Sequence, residues 1–272
     1  MPVNDRANWG LTNWLLATRP KATCCAGSEL GTSLTREPIF NVPTAVAAVL
    51  VLMAAIHGGL ALLPDELDEQ MIWTLAFVPA RYTGMAGEIP GGPLAAWTSF
   101  VTHQLVHGNM MHLLINGAWL LVFGSAVARR IGDVRFLVFS LVCGFVGALT
   151  FMVAQWGEVV PMVGASGAIS GLMAAGFRLL LPAIDNGEIH AMHDSPRSIR
   201  LATLSECMRS RRVVLAVAAF VVLNFGFAVA GPMLSDAAGI AWEAHLGGFA
   251  AGFLLLGAFD ATAPAELEPP RP

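Results

Sequence analysis

Four strongly polar side chains interrupt otherwise apolar stretches of this 272-residue sequence: His112 and Asn116 in HGNMMHLLIN, Ser166 in GASGAISG and His245 in AHLGGFAAG. A polar or charged group at membrane depth is costly, by about 2.5 to 3.5 kcal/mol for a central charge, so each one kept there asks for a reason. Serine becomes a competent nucleophile once a base takes its proton, and a neutral imidazole with an ordinary pKa of about 6.5 suits that task at neutral pH. Acyl transfer also needs hydrogen-bond donors aimed at the developing oxyanion, each contributing about 2.7 to 4 kcal/mol. His112 and Asn116 are four residues apart, so on a helix they share a face one turn from each other and donate in the same direction. The Ser166 N–H is a third donor if the serine starts a helix, where backbone N–H groups are free. Glu243 lies two residues before His245, and side chains two apart on a helix diverge, so it is set aside as an orienting acid in favour of a lid or loop role.

These residues must be positioned by elements made for lipid. The sequence is 56% hydrophobic and only 12% charged, against roughly 25% charged in ordinary globular domains. A spanning helix takes about 20 apolar residues, and six blocks approach that length: Val42 to Leu63, His107 to Ala128, Phe136 to Trp156, Val163 to Leu181, Val213 to Leu234 and Ile240 to Phe259. Backbone groups facing lipid must be satisfied within the segment, and no alternating strand pattern is present, so the expected fold is an all-α membrane protein with six transmembrane helices. Gly167, Gly171 and Ala175 make a small-residue stripe on the fourth block, and Ala244, Gly248 and Gly252 make another on the sixth. Were the two stripes to face each other, His245 would come level with Ser166.

Loop charge sets the orientation. Arg129, Arg130 and Arg135 follow the second block, and Arg197, Arg200, Arg209, Arg211 and Arg212 separate the fourth from the fifth. The opposite loops carry Asp65, Glu66, Asp68, Glu69, Glu88, Glu158 and Asp236, with Arg81 as their clear cation. Cationic loops stay inside, which predicts cytoplasmic termini. The division expected is a cytoplasmic tail at 1–40, a six-helix domain at 41–260 and a second tail at 261–272. No apolar core directly follows the basic residues of the first 40 positions, so the first block is read as a retained anchor rather than a cleaved signal. The connection from Pro64 to Val106, with Trp73, Phe77, Trp97 and Phe100, is read as a partly embedded interfacial element. The stretch from Pro182 to Arg211 is read as a solvated loop. Cys24, Cys25, Cys143 and Cys207 have no CxxC spacing, which predicts neither a zinc site nor a disulfide framework, and Cys24 and Cys25 are read as free thiols in preference to lipidation sites. The net charge is −4 and no basic run is interleaved with aromatics, so no nucleic-acid surface is expected.

HGNMMHLLIN, GASGAISG and AHLGGFAAG, on the second, fourth and sixth blocks in that order, resemble the rhomboid family of intramembrane serine proteases, and the resemblance covers about residues 42 to 259. It implies Ser166 as nucleophile, His245 as base and later acid in a dyad without a third carboxylate, and His112 and Asn116 as oxyanion donors. It implies a six-helix rhomboid-like bundle around a water-filled cavity open to the outside. Its substrates would be single-span membrane proteins, cut near the outer end of their helix, with membrane lipids as surroundings and no metal or cofactor. A bacterial inner membrane is the expected location, and oligomeric state is left open. The chain departs from the family at two positions. Ser170 stands where some members carry an aromatic residue stacked on the catalytic histidine, and Thr98 follows Trp97 where many have a Trp-Arg pair.

Two further classes stay open from the residues alone. His103, His107, His112 and His245 could ligate a metal or haem, although HExxH is absent. A rhomboid relative without activity could bind membrane clients with the same fold. A transporter fits poorly, because charged residues along a path through the blocks are missing.

Overall fold

A computed structural model describes residues 42–188, 196–234 and 240–260. The two tails, with Cys24 and Cys25, and Asp236 lie outside the described residues. The described part is helical: α1 Thr44–Leu60, α2 Asp65–Leu75, α3 Gly92–Thr102, α4 Met110–Ile131, α5 Asp133–Ala154, α6 Ser166–Asp185, α7 Leu204–Arg209, α8 Arg211–Leu234 and α9 Trp242–Phe259. By length and composition α4, α5, α6 and α9 can each cross a membrane, and α1 is a shorter apolar helix. Every one of the six hydrophobic blocks contains a helix.

Helix ends follow local chemistry. The second block starts its helix at Met110 rather than His107, because the Asn109 side chain caps it by accepting the His112 N–H at 2.8 Å. Midway, α4 contains a π turn at Leu120–Gly124, with Leu120 and Phe123 buried. The region read as a solvated loop from Pro182 is partly helical at both ends. α6 runs through Pro182 to Asp185, although that proline has no N–H to give the carbonyl four residues before it. α7 is started by a capping box in which Thr203 Oγ1 accepts the Glu206 N–H at 3.2 Å and Glu206 Oε2 accepts the Thr203 N–H at 2.8 Å. The Arg200 guanidinium, with these Thr203 bonds, lowers the Glu206 carboxyl to about 2.

The segment between α1 and α4 is ordered. α2, α3 and short 3-10 turns at Pro79–Thr83, Met85–Gly87 and His103–Leu105 fill it. Arg81 pins it from inside, donating to the carbonyls of Trp73 at 2.7 Å and Pro90 at 2.8 Å. On α3, Leu94 and Trp97 are exposed, at 72% and 79%. A bridge in which Phe77 and Met162 exchange both backbone bonds, at 3.0 and 2.8 Å, stitches this segment to the residues just before α6.

The core joins α1, α4, α5, α6 and α9 through Val46, Met53, Phe123, Phe136, Phe139, Leu172 and Leu256. In lipid, burying apolar surface gives little drive for helix association, so close van der Waals packing must supply it. α6 and α9 meet through glycine. A Cβ on Gly248 would lie 2.0 Å from the Gly167 carbonyl oxygen, and one on Gly252 would lie 2.0 Å from that of Gly171. The far end is fixed by buried arginines. Arg178 donates to the carbonyls of Ala202 at 3.1 Å and Phe253 at 2.9 Å. Arg130 forms a two-pronged pair with Asp260, at 3.0 and 2.8 Å, and also donates to the Pro196 and Ile199 carbonyls.

Candidate active site

Ser166 is the first residue of α6, and His245 lies in the first turn of α9. Because Gly167 and Gly171 face Gly248 and Gly252, the two helix starts are level, and His245 Nε2 lies 2.8 Å from Ser166 Oγ. Hydroxyl and ring nitrogen are at hydrogen-bond distance.

The backbone before Ser166 is shaped for its neighbours. Gly164 has φ +115°, a conformation that disfavours side chains. A Cβ there would stand 2.6 Å from His112 Cε1 and 3.4 Å from Asn116 Nδ2. The missing side chain thus lets both α4 residues close over the chain two residues before the serine. The Gly164 N–H donates to the His103 carbonyl at 2.8 Å, and His103 Nδ1–H donates to the Ser99 carbonyl at 2.6 Å. His103 therefore acts as a strut between α3 and the approach to Ser166. Asn116 is buried, and its Nδ2 has no protein hydrogen-bond partner. A buried amide donor left open beside the chain at Gly164 is free to donate to an oxygen placed there.

All four residues singled out in the sequence thus converge on one end of α6. The other histidines do not make a metal site with them: among the described residues, no three His, Cys, Asp or Glu side chains could jointly hold an ion. His107 instead packs edge-on against His112, with ring centres 5.1 Å apart. Glu243, for which the sequence suggested a lid or loop role, is buried in the first turn of α9 and accepts from Gln155 Nε2 at 2.6 Å. It ties the end of α5 to the start of α9, and the need to satisfy a buried carboxylate explains the difference.

Comparison with known sequences bears on this geometry. The family profile described as "Rhomboid domain" matches residues 94–259, more than half of the chain and every residue of the site. The chain belongs to the rhomboid family. This rhomboid is 32% identical over 150 residues to RHOMBOID-like protein 4 of Arabidopsis thaliana, an alignment covering 55% of the chain and 31% of the relative. It is 31% identical over 157 residues to rhomboid protease GluP of Bacillus subtilis, covering 58% of the chain and 25% of the relative. Against rhomboid protease GlpG of Haemophilus influenzae it is 28% identical over 74 residues, covering 27% of the chain and 37% of the relative. The chain therefore spans only about a quarter to two fifths of the length of these relatives. Family and apolar helices together make it an integral membrane protein with a helical bundle.

One polar contact of this rhomboid was not anticipated. His245 Nδ1 lies 2.8 Å from Asn224 Oδ1, and Asn224 Nδ2 donates to the Phe220 carbonyl at 2.9 Å. Asn224 is buried at mid-length in the apolar helix α8. The cost of a strongly polar group in such a run, which singled out the other four, applies to it equally.

Proposed function

We propose that this rhomboid is an intramembrane serine endopeptidase in which Ser166 is the nucleophile and His245 the general base. The observation that carries the reading is the 2.8 Å contact between Ser166 Oγ and His245 Nε2 at a helix N-terminus. In the first step Ser166 Oγ attacks the scissile carbonyl carbon while His245 Nε2 takes the hydroxyl proton. Negative charge develops on the carbonyl oxygen, where the Asn116 amide, His112 and the Ser166 N–H stabilise it. Collapse breaks the C–N bond, and the leaving amine takes the proton from Nε2. Water then attacks the acyl-enzyme, His245 accepts its proton and returns it to Ser166 Oγ, and the N-terminal fragment leaves with a new carboxyl terminus.

Substrates in this reading are single-span membrane proteins cut near the outer end of their helix. Charge supports that side. The α6 helix starts at Ser166 and ends at Asp185, whose carboxylate pairs with Arg212 at 2.9 Å. Its 20 residues put about 30 Å between the site and the arginine-rich loops that stay cytoplasmic. We further propose six spans within 41–260, adding α1 and α8 to the four helices already long enough, with cytoplasmic tails and a bacterial inner membrane as location. The exposed Leu94 and Trp97 of α3 suit a segment lying in the outer interface.

The test is cleavage of a model single-span substrate, bearing small residues near its outer boundary, by purified protein in lipid vesicles. Cleavage by the unaltered chain and none by Ser166→Ala is expected. Equal cutting by Ser166→Ala, or no cutting of any of several substrates, would move client binding without chemistry to first place. A smaller effect is expected at the oxyanion position. Asn116→Ala should lower kcat by about 10²- to 10³-fold and leave KM near its original value, because the donor is used only as charge develops.

A further inference from the structure

The geometry points to Asn224 as a positioning residue that fixes the tautomer and direction of the His245 ring. The inference rests on the protease reading for its kinetic meaning, but its structural content is independent of turnover.

The argument starts from what each atom can do. The Phe220 carbonyl only accepts, so the Asn224 atom facing it at 2.9 Å must be the amide nitrogen. That leaves Oδ1, an acceptor only, facing the imidazole at 2.8 Å. His245 Nδ1 must then carry the hydrogen. In a neutral imidazole the other nitrogen is bare, so Nε2 is left as an acceptor aimed at the Ser166 hydroxyl 2.8 Å away. One backbone carbonyl on α8 thus sets, through two hydrogen bonds, which nitrogen of α9 can take a proton from α6.

Asn224 is itself well held. One turn before it, the Phe220 ring stacks on Phe249 of α9 with centroids 4.1 Å apart, and both rings pack on Ala174 of α6. The three helices that carry Phe220, Phe249 and Ala174 are those that carry Asn224, His245 and Ser166. A ring that lacks such a partner can hold either tautomer and can rotate away from the hydroxyl. Ser170, buried one turn after the nucleophile, has a side chain too short to restrain the imidazole by stacking, so the asparagine supplies the restraint from the other nitrogen.

The test uses the full chain in lipid vesicles with Asn224→Leu, which keeps the branched shape and removes the acceptor, and Asn224→Asp, which keeps an acceptor. A protonated aspartate can also donate to the Phe220 carbonyl, reproducing both bonds. Asn224→Leu is expected to lower kcat by about 10- to 100-fold, the range seen for partners that orient metal-bound histidines, with KM little changed. Asn224→Asp should recover a large part of that loss. Independently of any cleavage, ¹⁵N spectra of histidine-labelled protein, with the His245 signal identified by its absence in His245→Gln, should give a single Nδ1–H tautomer in the unaltered chain and a mixture in Asn224→Leu. Unchanged kcat and tautomer in Asn224→Leu, or an aspartate variant no better than leucine, would overturn the assignment. If the unaltered protein cuts nothing, the protease reading fails while the spectra still decide the role of Asn224.

Discussion

Ser166→Ala, His245→Ala and the double variant are expected to lose activity to the same residual level, a fall on the order of a millionfold in kcat if the pair behaves as in soluble serine proteases. The expectation follows from the single contact at 2.8 Å. Without the base the hydroxyl keeps its proton and attacks poorly; without the hydroxyl the base has nothing to activate. Either loss leaves only what the oxyanion donors provide, so the second substitution has little left to remove. Cleavage of a single-span substrate and covalent labelling by a fluorophosphonate would be measured side by side. A double variant that falls far below both single ones would mean that the residues act separately, and the shared proton-transfer step would have to be abandoned.

The second large effect concerns glycine. Gly252→Val is expected to destabilise the protein by about 3 kcal/mol or more, at the upper end for overpacking, and to abolish activity. Its Cβ would lie 2.0 Å from the Gly171 carbonyl oxygen and 2.5 Å from Gly171 Cα. Both are backbone atoms, which cannot rotate away as a side chain would, so relief requires α6 and α9 to separate. The same separation pulls His245 from Ser166, and a shift of about 1 Å already harms a reacting geometry. Gly58→Ala is the matched control, because no atom lies within 4 Å of a Cβ there, and Ala is the better helix former by about 1 kcal/mol. Thermal unfolding in detergent would be compared with cleavage for both variants. A Gly252→Val protein with the original melting temperature would show that the helices have room the packing denies.

The sequence made the pair legible because its signals were redundant. Ser166 and His245 each sit beside a small-residue stripe, and stripes that must pack carry their polar neighbours to the same level. His112 and Asn116 were readable from a spacing of four. Asn224 was harder, since it belongs to no spaced set and its partners, Phe220 and His245, lie one on its own helix and one 21 residues later. Only the cost of an amide in an apolar run marks it. Glu243 was correctly separated from His245 by direction, but its partner Gln155 is 88 residues away, a distance over which local reasoning has no grip. Reading the stretch from Pro182 as a loop stopped α6 too early, because the apolar run ends at Leu181 while the helix continues to Asp185. Gly164 was visible as part of a motif, but its reason, a positive φ that admits the His112 ring, needs the third dimension.

The π turn at Leu120–Gly124 separates the two working ends of α4. Before it, His112 and Asn116 point at the Ser166 end; after it, Arg130 must point at Asp260 and the Pro196 and Ile199 carbonyls. A wider turn inserts about one residue of lag, roughly 100° of rotation, between the halves. Without the lag, one end of α4 would be turned by that same angle relative to the other. The bulge is therefore a coupling joint, and deleting one residue within it would act as a rotation of one membrane face against the other rather than as a shortening.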